Sequence, residues 1–204
     1  MPLPPLKLGF LASRNGTAMR AVVAAARGGE LRVEPRLLIS NRAEAPALAF
    51  AREAGLPWQH VSALSEGSAQ AADAVIAAAL KGAGVELVVL SGYLRRLGPA
   101  VLEAFGGRIL NIHPALLPRH GGEGMYGRRV HEAVLTAGDS ETGATVHLVE
   151  GAYDTGPVLA QARIAVEPGD TPESLERRVA AIEAPLYIDT LRRIASGELA
   201  LPVA

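Results

Sequence analysis

The first half of the chain repeats one pattern: a strand-length run, then an alanine-rich segment of helical character. "LKLGFLAS" gives way to "TAMRAVVAAARGG", "VEPRLLIS" to "AEAPALAFAREAG", and the short "WQHVS" to "SAQAADAVIAAALKGAG". "VELVVLSG" is followed by the short helical "GPAVLEAFG", which leads into a fifth run, "RILNIHP". Strands separated by helices, with no tight hairpin turn between them, predict a parallel α/β sheet covered on both faces. The alternation of strand and helix therefore limits the fold to a small set before any single residue is considered.

After Pro118 the texture changes. "RHGGEGMYG" is polar and glycine-rich and predicts a mobile surface loop. A helix over "RRVHEAVLTAG" follows, then two strand runs, "GATVHLVEG" and "GPVLAQARIAV", with only "AYDT" between them. That short connection predicts an antiparallel hairpin added to the parallel sheet. "DTPESLERRVAAIEAPLYIDTLRRIASG" closes the chain as a long helix, capped at Asp170 or Thr171 with Pro172 in its first turn. With no internal repeat, low-complexity tract or linker in 204 residues, a single domain over 1–204 is expected.

Composition removes several function classes. A net charge of −1 gives no field that would gather nucleic acid or a membrane surface. The chain has no cysteine, which excludes disulfides, thiolate metal sites and a cysteine nucleophile. The start, "MPLPPLKLGFLAS", lacks a basic head and a sustained apolar segment, so no signal peptide is expected. No stretch approaches the roughly 20 apolar residues that cross a bilayer. A cytoplasmic location is the expectation.

Two places at the carboxyl ends of predicted strands carry chemistry. The first is "ASRNGTAM", which joins the first strand to the first helix. In a parallel sheet this turn lies where ligands bind. N–H groups at the helix start, with Asn15, Gly16 and the Thr17 hydroxyl, suit a phosphate. The stretch is neither G-x-G-x-x-G nor a P-loop, and it reads equally as an ordinary turn with a helix cap.

The second is "GRILNIHPALLP". Strand alternation points Asn111 and His113 one way and Leu110 and Ile112 the other. Pro114 then ends the strand. The bland reading is a pair of core polar groups bonded to nearby backbone. The chemical reading is acyl-type transfer. A carboxamide N–H can hold an oxygen that gains charge as a carbonyl turns tetrahedral, and an imidazolium can do the same or supply a proton. With no cysteine and no G-x-S-x-G, direct attack by a bound substrate is more economical than a covalent intermediate.

A third group should manage the imidazole's charge. Asp154 in "EGAYDTGPV" is the candidate, since a nearby carboxylate raises a histidine pKa; alone it would read as a turn residue. His113, His120, His131 and His147 lack metal-site spacing, so no metal is expected. His147 in "TVHLV" reads as an inward residue. The "LRR" of Leu94 to Arg96 follows the fourth strand and is either a ligand contact or a solvated basic turn.

Taken together, "SRNGT", "LSGYLRRL", "NIHPALLP", "GGEGMYG", "ETGATVHLVEGAYDTGPVLAQ" and "AAIEAPLY" resemble the folate-dependent formyltransferase family. Within it they resemble the members that formylate glycinamide ribonucleotide in de novo purine biosynthesis. The motifs keep their order over nearly the whole chain. The resemblance implies a Rossmann-like half, 1–105, that binds the ribose phosphate, and a half, 106–204, that forms a folate cleft. It implies 10-formyltetrahydrofolate as co-substrate, with the substrate amine attacking the formyl carbon directly. By position, Asn111 would hold the formyl oxygen, His113 would stabilise the oxyanion as a cation, and Asp154 would pair with His113 and pass protons through water. Asn15, Gly16, Thr17 and Ala18 match the phosphate loop, and Glu183 a carboxylate on the ribonucleotide. Leu94, Arg95, Arg96 and Leu97 match the pterin stretch, with Glu150, Gly151, Ala152 and Tyr153 lining the same cleft.

The chain departs from the family pattern in places. Arg14 stands where a small residue is usual and Ala18 where an amide is usual, and "EGSAQAAD" lacks an arginine that relatives carry. The partners expected are small molecules, with a homodimer left open, and neither nucleic acid nor membrane. The alternatives are a formyltetrahydrofolate hydrolase, another formyltransferase on the same scaffold, or a silent folate- or nucleotide-binding module.

Overall fold

The computed structural model describes residues 4–202. Its elements in chain order are β1 (Leu6–Ala12), α1 (Thr17–Arg27), β2 (Val33–Ser40), α2 (Pro46–Glu53), β3 (Trp58–His60), α3 (Ala63–Glu66) and α4 (Ala69–Gly82). They continue with β4 (Leu87–Leu90), α5 (Pro99–Ala104), β5 (Ile109–His113), α6 (Arg128–Thr136), β6 (Glu141–Leu148), β7 (Val158–Ala165) and α7 (Pro172–Ser196). The first three residues of the proline-rich start lie outside the described residues.

All seven strands form one sheet in the order β3-β2-β1-β4-β5-β6-β7. The first five run parallel; β6 and β7 run antiparallel to their neighbours. Strand alternation divides the core by face. Leu8, Phe10, Val89 and Leu110 pack with α1 and α7 through Met19, Val22, Val179 and Leu191. Leu11, Val88, Leu90 and Ile109 pack on the other face with α4 and α5 through Ile76, Leu80 and Val101. Helices therefore cover both faces, as the alternating pattern predicts, and the near-continuous apolar runs follow from that double burial.

Strand order reverses direction between β1 and β4, which opens a crevice at their carboxyl ends. Two buried serines tie its edges together. Ser13 accepts from the Leu94 N–H at 2.8 Å, and Ser91 accepts from the Met19 N–H at 3.1 Å. The β4–β5 ladder is short, pairing Val88 with Ile109 and Val89 with Leu110. Beyond it the hydroxyl of fully buried Tyr187 lies 2.9 Å from the Leu110 carbonyl and 3.2 Å from that of Leu90.

Three local expectations are corrected and one open choice is settled. "WQHVS" ends as a strand at His60, because Ser62 instead caps the short α3, accepting from the Ser65 N–H. The β6–β7 connection spans residues 149–157 rather than "AYDT" alone. A register shift between Val146 and His147 leaves Leu159 as an extra residue on β7, the ladder closes at His147 and Val158, and Asp154 adopts a left-handed φ of 56°. The 119–127 segment is not a free surface loop: Gly122 N–H bonds the Asp154 carboxylate at 3.0 Å, and Arg119 pairs with Asp139. The closing helix is capped by Thr171 rather than Asp170, in a reciprocal box with Ser174; Asp170 braces that box by accepting from the Ser174 hydroxyl.

Candidate active site

A cleft of about 630 Å³ lies at the carboxyl edge of the sheet. Its walls come from the loop after β1, the loop after β4, the end of β5, residues 122–127, the start of α6, the 149–157 loop and α7. Distant parts of the sequence thus meet at one opening, as a crossover point in a parallel sheet requires.

At one end α1 begins. Its N-cap, Gly16, takes a left-handed φ of 61°, and no side chain caps the helix. The left-handed backbone is what favours glycine here; a Cβ would stand 2.9 Å from Met19 Cε, so the tip of that side chain would also have to shift. The first N–H groups of a helix have no intrahelical partner; here Ser91 takes that of Met19, while Gly16, Thr17 and Ala18 line the cleft beside the positive end of the helix dipole. Arg20 holds the turn from outside by donating to the Asn15 carbonyl at 2.8 Å.

The centre is a set of four side chains. Asn111 and His147 are register partners on β5 and β6, and the Asn111 amide nitrogen lies 3.1 Å from His147 Nε2. His147 Nδ1 donates to the Leu148 carbonyl at 2.8 Å, which leaves Nε2 as the acceptor for that amide. Asp154 bridges the two histidines, with Oδ2 at 3.4 Å from His113 Nδ1 and Oδ1 at 3.4 Å from His147 Nε2. His113 Nε2 donates to the His120 carbonyl at 2.8 Å.

Both nitrogens of His113 therefore face acceptors, an arrangement that the doubly protonated ring satisfies best. Burial works against it. It pushes the His113 pKa down, and the opposing pull of Asp154 does not restore it. The expectation that Asp154 raises this pKa is right in sign for the carboxylate but wrong for the net direction in the free protein. Asp154 is itself pushed up by burial, yet held below the usual carboxylate range by the facing imidazoles, His147 before His113, and by the Gly122 N–H.

The opposite wall carries acids from α7. Burial, reinforced by Glu176, raises Glu183 to about 7. Burial lowers the neighbouring His131, and its Nδ1 has no hydrogen-bond partner among the described residues. Tyr93 is raised to about 12 by burial and then by the charge of Asp73. Among the described residues no group of three or more histidines and acids could hold a metal ion, and no helix is long and apolar enough to cross a membrane.

The formyl transferase family profile matches residues 6–191. The chain belongs to the formyl transferase family. It groups within that family with the phosphoribosylglycinamide formyltransferases. The protein of that name from Mycobacterium tuberculosis is 39% identical over 96% of this chain and 87% of its own length. The chloroplastic one from Arabidopsis thaliana is 38% identical over 92% of this chain. The chain spans 65% of that plant relative's length. The crystal structure of glycinamide ribonucleotide transformylase 1 from Symbiobacterium toebii superposes with a TM-score of 0.90 at 37% identity, covering 97% of this chain and 91% of that one.

Of the residues singled out from sequence, Asn15, Gly16, Thr17, Ala18, Leu94, Asn111, His113, Tyr153, Asp154 and Glu183 line the cleft. Arg95, Arg96, Leu97, Glu150, Gly151 and Ala152 do not. Leu97 is buried in the core beneath α5. Arg96 donates to the Gly151 carbonyl at 2.9 Å through Nε, which ties the 91–98 loop to the 149–157 loop from outside. Sequence reasoning missed Arg129, His131 and Glu176 as cleft residues. Their helical spacing says which face is polar but not which helix turns that face to the opening. His147 carried a signal in its strand alternation, but its partner Asn111 required the β5–β6 register.

Proposed function

We propose that this formyltransferase moves the formyl group of 10-formyltetrahydrofolate to the amine of glycinamide ribonucleotide, a step of purine biosynthesis. One observation carries the reading: the Asn111 amide, His113 and Asp154 meet beside an uncapped helix start in one cleft. The helix start suits the ribonucleotide's phosphate, and the polar cluster suits the acyl centre. Residues 1–105 and 106–204 act as one unit, the first holding the phosphate and the second forming the folate cleft with help from the loop after β4. Phosphate contact runs through backbone N–H of 16–18, which Arg14 and Ala18 leave intact.

The two substrates fit opposite ends of the cleft. Gly92, Leu94 and Tyr153 offer peptide groups and apolar surface to a flat ring system, while Glu183 and the 15–18 turn face the ribonucleotide. The amine's lone pair attacks the formyl carbon, forming a C–N bond and placing negative charge on the formyl oxygen. One Asn111 N–H is engaged with His147, and the other donates to that oxygen. His113, bracketed by acceptors at both nitrogens, contributes positive charge; the developing oxyanion adds to Asp154 in favouring the charged ring. As the tetrahedral carbon collapses, the bond to the folate nitrogen breaks. The proton lost by the amine reaches that nitrogen through water held by Asp154, so charge and protons balance.

A coupled assay with glycinamide ribonucleotide against water as acceptor tests the assignment. Turnover that requires the ribonucleotide supports it. Formyl release without the ribonucleotide would make the chain a hydrolase, and folate binding without turnover would make it a binding module.

A further inference from the structure

His113 is held on one side by a residue with its own anchor. The carbonyl that accepts the His113 Nε2–H belongs to His120, whose backbone is left-handed with φ 55°. A side chain with Cβ disfavours this conformation, so something outside the local backbone must fix it. The His120 imidazole supplies the link, with Nε2 2.7 Å from Oδ2 of Asp139. Arg119 pairs with the other oxygen of the same carboxylate. The Asp139 side chain is only 6% exposed and sits in the α6–β6 turn, with its own N–H bonded to the Val134 carbonyl. A rigid turn thus grips His120 by its ring, and His120 presents its carbonyl to His113.

We propose that Asp139 is a positioning residue for the formyl transfer, acting through His120 to keep the proton of His113 on Nε2 and to aim Nδ1 at Asp154. The inference rests on the role given to His113 above. Its physical basis is that a carbonyl acceptor selects the ring tautomer and orientation, and favours the charged form. Without the grip, the His120 backbone is free to leave the left-handed region and the carbonyl to turn away. His113 would then be bracketed by one acceptor rather than two. The charged or titratable groups around it are Asp154 from the 149–157 loop, His147 from β6, His120 from the 119–127 segment and His131 from α6. None of these replaces the lost acceptor at Nε2.

The test uses the whole protein with three variants and two readouts. Asp139→Asn removes the charge at constant shape, and His120→Gly keeps the left-handed backbone but removes the anchor. Arg119→Ala takes away only the exposed guanidinium. Steady-state kinetics across pH are paired with nitrogen-15 NMR of the His113 ring, which reports tautomer and pKa. Asp139→Asn and His120→Gly should each lower kcat by about 10- to 100-fold, with KM for both substrates within about twofold, as for other residues that orient a catalytic group. In both, the pH profile and the His113 titration should move to lower pH, and the Nε2–H tautomer should lose population. Arg119→Ala should match the parent protein.

Parental His113 resonances and pH profile in both Asp139→Asn and His120→Gly would overturn the inference. So would a loss of rate that follows thermal stability while the His113 titration stays in place. His113→Ala separates the two levels. Near-normal turnover there removes the catalytic role of His113, whereas an inactive His113→Ala beside a fully active Asp139→Asn removes the positioning role alone.

Discussion

Nδ1 of His113 lies 3.4 Å from Oδ2 of Asp154, and the two side chains are 4% and 10% exposed. At that separation and burial the carboxylate is the main influence that keeps the imidazole from being simply a neutral core ring. Burial prevails in the free protein and holds the His113 pKa below its ordinary value. Substituting Asp154→Asn leaves burial opposed only by the His120 carbonyl. We expect kcat to fall by roughly 10²- to 10⁴-fold, the range typical of removing a proton-transfer group, with an unchanged circular dichroism spectrum. The His113 titration should move further down. Because the unfolded ring titrates near 6.5, the folded protein then binds fewer protons than the unfolded one over a wider window below that value. The variant should therefore lose stability more steeply as pH falls through that window, measured as Tm against pH.

Among the described residues Asn111 hydrogen-bonds only the His147 side chain, which leaves its second N–H for substrate. Asn111→Ala should lower kcat by about 10²- to 10³-fold, as for loss of one oxyanion donor, with little change in either KM. A larger change in KM than in kcat would show that Asn111 acts in ground-state binding instead.

Glu183 carries a pKa raised to about 7, first by burial and then by Glu176. The sign follows from linkage. Between the unfolded value and about 7 the folded protein binds more protons than the unfolded chain, so this group costs stability as pH rises through that window. Glu183→Gln should match the parent near pH 4 and exceed it above pH 8 by on the order of 1–3 kcal/mol, read from urea denaturation at the two pH values. The same variant should raise KM for the ribonucleotide more than KM for the folate, as the place proposed for Glu183 on the ribonucleotide side requires.

Tyr187 closes the gap where β4 and β5 part, reaching the Leu110 carbonyl one residue before Asn111. Removing its hydroxyl in Tyr187→Phe leaves two buried carbonyls with one partner fewer. A loss of about 1–3 kcal/mol in unfolding free energy is expected. A smaller drop in kcat should accompany it, because the strand that carries Asn111 and His113 would lose a fixed point.

Much of this molecule was legible in residue order. The repeated strand and helix pattern predicts a parallel α/β sheet, and strand alternation separates Leu110 and Ile112 from Asn111 and His113. The start of α7 was readable because capping is local chemistry, although the choice between Asp170 and Thr171 needed the geometry of Ser174. The candidate site was readable where its residues end strands, as with Asn111 and His113, or open the first helix, as with Asn15 to Ala18.

Tertiary structure decided the rest. Side-chain period fixes which face a residue takes, but not which residue lies opposite it. The meeting of Asn111 with His147 and of His113 with Asp154 depends on the β5–β6 register and on the path of the long 149–157 connection. Burial set the direction of the His113 and Glu183 shifts, and burial belongs to the packed molecule. The same holds for the 119–127 segment. Its glycines suggested freedom, while contacts with Asp139 and Asp154, each far along the chain, pin it over the site. Local propensity and periodicity act over a few residues and so can be read in sequence; long-range register, desolvation and anchoring arise only when distant segments are brought together.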